Sequence, residues 1–185
     1  MIMAGDPLQN EIDIKIRAFV AAASGISSNN VIPGNDPHPA PAGSYATALQ
    51  INTKGRGVDS EVARPHETDP EKFDLFHSGV REITYSVQFY RDGAADYIES
   101  LLSFPATTPG QIWLGENNLT WKIAGDIVNL DSLIDSKFEI RRAVEITLKY
   151  ESKREIEINK LGSVEIDFDL SAETDIHENL EVNDA

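Results

Sequence analysis

The chain predicts an α/β protein of the α+β kind: an antiparallel or mixed sheet flanked by helices, with a β-hairpin extension at its C-terminal end. Three observations predict it. In REITYSVQFYRDGAADYIESLL, residues 81–102, the apolar period changes from two to about three and a half, the mark of a strand feeding a helix. Residues 138–150 alternate apolar and polar at strict period two, and Ile12, Ile16, Phe19, Val20 and Ala23 form a single helical stripe.

Taken in order, Asp6-Pro7-Leu8-Gln9 opens the first helix, with Asp as N-cap, Pro at the first helical position and Gln at the reciprocal capping position. Gly25 is its left-handed stop. Residues 27–43 crowd Pro33, Gly34, Pro37, Pro39, Pro41 and Gly43 together with Asn29, Asn30 and Asn35, which predicts an extended connection. Tyr45, Thr47, Leu49 and Ile51 alternate with Ala46, Ala48, Gln50 and Asn52, a strand expected to be covered on both sides. Lys54 to Val58 carries two glycines and is expected to bend or end it. Residues 58–79, rich in Pro, His and charge, read as a long loop whose Phe73, Leu75 and Phe76 either dock on a neighbour or fold back on the domain.

In the strand that follows, Ile83, Tyr85, Val87 and Phe89 share one face. Glu82, Thr84, Ser86, Gln88 and Tyr90 share the other. The helix after it buries Ala94, Ile98, Leu101 and Leu102, with Asp92 expected as N-cap. Thr108-Pro109-Gly110-Gln111 opens a short helix through Trp113 and Leu114, residues 119–124 form a short strand, and residues 130–135 are given at most two helical turns. Residues 138–150 are then the longest clear strand. After it, Ile156 and Ile158, a turn at 159–163, and Val164, Ile166, Phe168 and Leu170 make the terminal hairpin. A lone two-stranded hairpin is marginal in water, so this one is expected to extend a sheet or pack on another subunit. The expected organisation is a domain over residues 1–150, a hairpin over 151–170 and an acidic disordered tail over 171–185.

Composition bounds the function. The 185 residues suffice for one domain with a core but not for two large ones, and the absence of Cys excludes disulfides and thiolate zinc sites. No stretch has the roughly 20 apolar residues of a membrane span and the first residues lack a signal-peptide pattern, so cytosolic synthesis without membrane insertion is expected. A formal charge of −15 argues against grip on a phosphate backbone. From residue 161 onward Glu165, Asp167, Asp169, Glu173, Asp175, Glu178, Glu181 and Asp184 occur with no Lys or Arg. Such a segment is a solubilising tail, a surface for a basic partner, or a pore wall along which a polyanion slides.

Candidates for chemistry fail simple tests. His38, His66, His77 and His177 lie in predicted loops or the tail without HExxH spacing. Gly93 after a strand lacks both GxGxxG and the P-loop Lys. Asp167 and Asp169 project from one strand face like a carboxylate pair, yet solvated charges are the commoner outcome in so acidic a hairpin. Ser24, Ser44 and Ser78 occupy no nucleophile elbow. The expectation is no enzyme, with no catalytic residues, no cofactor-binding residues and no metal site.

Three blocks carry a family resemblance: IRAFVAAASGI at residues 16–26, VQFYRDGAADYIESL at 87–101 and LDSLIDSKFEIRRAVEITLKY at 130–150. In this order they resemble the neck or tail terminator proteins of tailed bacteriophages, over residues 8–150. The resemblance implies a small α/β protomer that forms a ring, commonly a homohexamer, at the head-proximal end of the tail. Such a ring ends tail-tube growth and joins the tail to the head connector. It implies a virion location in the neck, with host cytoplasm during assembly. Its implied partners are other copies of itself, the tail tube, a sheath protein and head connector or neck proteins, with genomic DNA passing through the lumen unbound. No catalytic residues carry over. Residues 64–79 and those after 151 depart from the family pattern. Two alternatives stand beside this reading: another head-completion or minor tail protein of a virion, and a small hydrolase using His66 or His77 with loop carboxylates.

Overall fold

The computed structural model describes residues 7–159 apart from Asp36, His38, Pro70, Glu71, Asp135 and Ser136. Helix α1 (Pro7–Ser24) comes first, then strands β1 (Val31–Pro33), β2 (Tyr45–Pro65) and β3 (Lys72–Tyr90). Helices α2 (Ala94–Ser103) and α3 (Thr108–Glu116) follow. Then come β4 (Leu119–Ala124), β5 (Val128–Asn129), β6 (Ser132–Ile134), β7 (Lys137–Glu139) and β8 (Arg141–Asn159). The main sheet runs β1-β2-β3-β8-β4, with β5 also paired to β8. All its pairings are antiparallel except β1 on β2, so the sheet is mixed and the fold is α+β.

The helices cover one sheet face and bury the apolar rows predicted for it. Ile12, Ile16, Phe19, Val20 and Ala23 of α1 meet Ile83, Tyr85, Val87 and Phe89 of β3 and Val144, Ile146 and Leu148 of β8. Phe19 is the hub of an aromatic cluster, with ring centroids 5.4 Å from Trp113, 5.8 Å from Trp121 and 6.1 Å from Phe104. Tilted ring pairs at such distances add to the area they bury. Gly25, at φ 79°, terminates α1 as its sequence position requires.

Several expectations are corrected. On β2 the core row is Ala46 and Ala48, whose small side chains let α1 and β1 approach, while Leu49 and Ile51 are exposed. Past Tyr45, which is buried on the second face against Tyr90 and Arg91, the strand is therefore covered on one side, not both. The turn into α2 is capped by Gly93 (φ 79°) rather than Asp92, because the chain reverses through two left-handed residues, Arg91 (φ 71°) and Gly93. Arg91 tolerates that conformation because its Nη1 donates to the carbonyls of Pro41 (2.7 Å) and Gly43 (2.6 Å), and its guanidinium lies over the Tyr45 ring. Residues 130–135 are not helical. Ser132–Ile134 pairs with Lys137–Glu139 as a two-stranded ribbon, so Phe138 belongs to β7 and β8 begins at Arg141. Polar anchoring replaces the helix there: the Asp131 carboxylate accepts from the Arg141 backbone N–H and from Arg142.

The largest correction concerns residues 58–79. They are not a long loop, since β2 continues to Pro65 and β3 starts at Lys72, and the connection is only residues 66–71. β8 likewise passes residue 150 without a break and pairs with β3 as far as Lys72↔Asn159. The outer parts of β2, β3 and β8 thus form a three-stranded arm, about 30 Å long at roughly 3.3 Å per residue, reaching past the helical layer. The first limb of the expected hairpin is part of this arm. Its turn and second limb, with Asp167, Asp169 and the acidic tail, lie outside the described residues, as do Asp6 and His38.

Candidate assembly surface

The arm and the sheet face opposite the helices leave polar and apolar groups without a layer over them. Strand alternation sorts the arm into two faces. Ala63, Pro65, Phe73, Leu75, Ile156 and Ile158 fall on the helix side, beyond the reach of any helix. Val62, Phe76 and Val80 fall on the other, where the Arg64 guanidinium sits 5.2 Å from the Phe76 ring centroid. The outer edges are open as well. On the edge of β8 away from β3, nothing described pairs beyond Tyr150, and β1 covers β2 only at Ala46–Ala48. Unpaired backbone on an extended edge is a template for another strand. The β2 edge is broken by register shifts at Gln50/Asn52 and Arg56/Ser60, whereas β8 pairs with β3 without any.

Cross-strand pairs hold the arm together where a core is missing. Arg81 makes a bidentate pair with Asp59, which holds the Asp59 carboxyl below its usual range. The Ser60 and Ser78 hydroxyls lie 2.8 Å apart, and Lys72 pairs with Glu157, raising the first group's pKa and lowering the second's. Exposed pairs of this kind are screened by solvent and add little, so the arm is a weakly stabilised element compared with the body.

At the base of the arm, on the open face, one carboxylate collects three cations. Glu82 is only 5% exposed although no helix covers it. Its Oε2 lies 2.5 Å from Arg56 Nη2 and 2.8 Å from Lys122 Nζ, and its Oε1 lies 3.7 Å from Lys149 Nζ. The cover consists of those cationic side chains themselves. Hydrogen bonding from Lys122, opposed by desolvation and joined by Arg56, holds the Glu82 carboxyl at about 2. Lys54 faces Glu82 directly across the β2–β3 ladder. β4 contributes Lys122 through a register shift between Trp121 and Ile123, which lifts that residue out of strict alternation.

Among the described residues, His66, His77, Ser24, Ser44 and Ser78 make contacts within the fold. His66 Nδ1 accepts from the backbone N–H of Thr68 (3.3 Å) and Asp69 (3.2 Å), ordering the turn between β2 and β3. His77 Nε2 is 3.5 Å from Glu61 across the arm, and His66 Nε2 is 3.9 Å from Asp74. The Thr68 hydroxyl also lies 3.4 Å from His66 Nδ1, within the same turn. Ser78 points to the face opposite His77, Ser24 donates to the Val20 carbonyl (2.6 Å) and Ser44 to the Asp92 carbonyl (2.7 Å). On the helix side, the Tyr85 hydroxyl donates to Asp13, and burial together with that bond pushes the phenol's pKa up. Among the described residues no group of three His, Cys, Asp or Glu side chains is placed to hold a metal ion. No described helix is long and apolar enough to cross a membrane.

Sequence reasoning missed the Glu82 cluster because its members lie far apart in the chain and the strand's outer row reads as ordinary polar alternation. The one available signal was a carboxylate directly opposite lysines on two neighbouring strands, and that requires the register. What this surface offers is complementarity: a cation cluster on the sheet face opposite the helices, open edges and an apolar arm tip.

Residues 10–173, most of the chain, match the family described as phage neck terminator protein. The chain belongs to the phage neck terminator family. No curated protein matches it. The match runs past residue 150 and takes in the whole arm, including residues 64–79 and 151–173, where the sequence departed from the family pattern. Membership makes this a structural protein of the phage virion, located at the neck, whose interactions are with other tail and neck proteins.

Proposed function

We propose that this neck terminator assembles as a ring, six copies being the expected number, that ends tail-tube growth and joins the tail to the head connector. The observation that supports the reading is the two-sidedness of the protomer: helices cover one sheet face, while on the other face Leu49 and Val80, and at the arm tip Ile156 and Ile158, are exposed within the described chain. A subunit that repeats around a closed ring supplies that cover from its neighbour. The tail tube, a sheath protein and the head connector are the partners above and below the ring, and the arm serves contacts to one of them. The net charge of −15 suits a lumen through which DNA moves without being held.

In this reading no side chain performs a reaction. Replacing His66 and His77 together by Ala leaves assembly intact, whereas loss of function in a folded double variant would favour the hydrolase alternative. The direct test is mass by size-exclusion with light scattering, together with electron micrographs of tails made with and without the protein. Rings of protomer multiples that cap tubes of uniform length support the proposal. A monomer or dimer that leaves tube length unchanged when omitted overturns it.

A further inference from the structure

The two faces of the protomer carry local clusters of opposite charge. Between Arg91 and Lys122 the chain has Asp92, Asp96, Glu99 and Glu116 and no Lys or Arg, so the α2–α3 half of the helical layer is purely acidic. Asp96 and Glu99 are exposed on α2, one turn apart. The opposite face gathers Lys54, Arg56, Lys122 and Lys149 around the single carboxylate of Glu82, which fixes three of them within 3.7 Å and leaves a local excess of positive charge on an otherwise acidic molecule. Glu82 preorganises the cluster: cations already held in place lose less side-chain entropy when an anionic surface meets them. Both faces also expose aliphatic groups, Ile112 on α3 and Val80 and Ile123 beside the cation cluster.

From these observations we infer that the open sheet face, at the row of Lys54, Glu82 and Lys149, docks the acidic α2–α3 surface of a second copy of this chain. The inference rests on the ring reading above and names the two surfaces that meet. A front-to-back contact of this kind is heterologous, so each copy uses one face on each neighbour and the pattern closes into a ring when the rotation permits. A helical layer laid on a bare sheet also supplies the covering layer that the sheet lacks. Nucleic acid fits the cluster less well, because four cations on a chain of net charge −15 face long-range repulsion from a polyphosphate.

The test uses two charge-reversed full-length proteins. In one, Asp96→Lys and Glu99→Lys make the helical surface positive. In the other, Lys54→Glu and Lys149→Glu make the sheet face negative. Each alone is expected to run at protomer mass where the unaltered protein runs as a ring. An equimolar mixture is expected to regain ring mass, since positive helices then meet negative sheets and an alternating ring closes for any even number of subunits. Lys54→Glu alone, which leaves the contacts of Glu82 in place, is the safeguard against misfolding of the double variant and is expected to weaken the ring in the same direction. Rings of undiminished stability from the helix variant overturn the inference, and so does a mixture that fails to reassemble from folded partners. If deletion of residues 171–185 dissolves the ring while charge reversal on α2 does not, the acidic tail is the occupant and the inference is wrong. An unaltered protein that never forms rings refutes the ring reading instead, which keeps the two failures distinct.

Discussion

Glu82 shows how much one side chain on an uncovered face can organise. Its carboxyl titrates near 2 in the fold against 4.5 unperturbed, so the unfolded chain binds the proton more readily than the folded one. The stabilisation is therefore complete above about pH 4.5 and fades as the pH falls toward about 2. Glu82→Gln should lower the melting temperature at pH 7, and the gap from the unaltered protein should narrow steadily as the pH is taken from 5 toward about 2. A gap independent of pH would mean that the cluster is not the cause. A second residue-level prediction concerns Gly110 in the first turn of α3, where an added Cβ would sit 1.9 Å from the Phe104 carbonyl oxygen. Gly110→Ala forces the backbone apart and should cost on the order of 1–3 kcal/mol, read from denaturant unfolding.

Among the elements, the body and the arm differ in what holds them. β3 and β8 interlock in the body through Ile83, Tyr85, Val87, Val144, Ile146 and Leu148, all at most 2% exposed. Ile146→Asp or Leu148→Asp places an unpaired carboxylate there at a cost of several kcal/mol, and soluble expression should be lost. Beyond Tyr150 the same strands keep their ladder but have no helix against them. Truncation after Tyr150 removes the third strand from the arm and leaves β2 and β3 as a two-stranded ribbon, marginal in water. Hydrogen exchange should show residues 83–90 still protected and residues 72–80 exchanging freely. Equal protection in both would mean that the arm is stabilised by its own hairpin alone.

At the scale of the whole molecule, one layer of helices on one face of a mixed sheet is an unfinished sandwich, and the charge asymmetry between its faces orients whatever completes it. If charge carries the subunit contact, the ring should loosen with salt. Raising the ionic strength to about 1 M shrinks the Debye length to about 3 Å, and ring mass by light scattering should fall toward protomer mass at fixed protein concentration. A ring indifferent to salt would place the contact energy in the apolar arm tip instead.

The sequence by itself determined the elements that bury a face. The α1 stripe, the row from Ile83 to Phe89, the alternation through Ile146 and Leu148 and the helix at Ala94, Ile98 and Leu101 were legible because burial imposes a period on residue type. The short blocks that resemble terminators were legible for the same reason, since they span those buried rows. What only the tertiary structure decided lies where no face is buried. β2 beyond Asn52 and β3 before Val80 carry Gly, Pro, His and charges on both sides because nothing packs on them, so alternation vanished and a strand read as a loop. The Glu82 cluster joins four strands through register alone: Arg56, Lys122 and Lys149 become neighbours of one carboxylate only when β2, β3, β8 and β4 lie side by side. Periodicity reports contact with a core; contact between solvent-facing strands leaves no period in the sequence, and its partners are set by the pairing of the sheet.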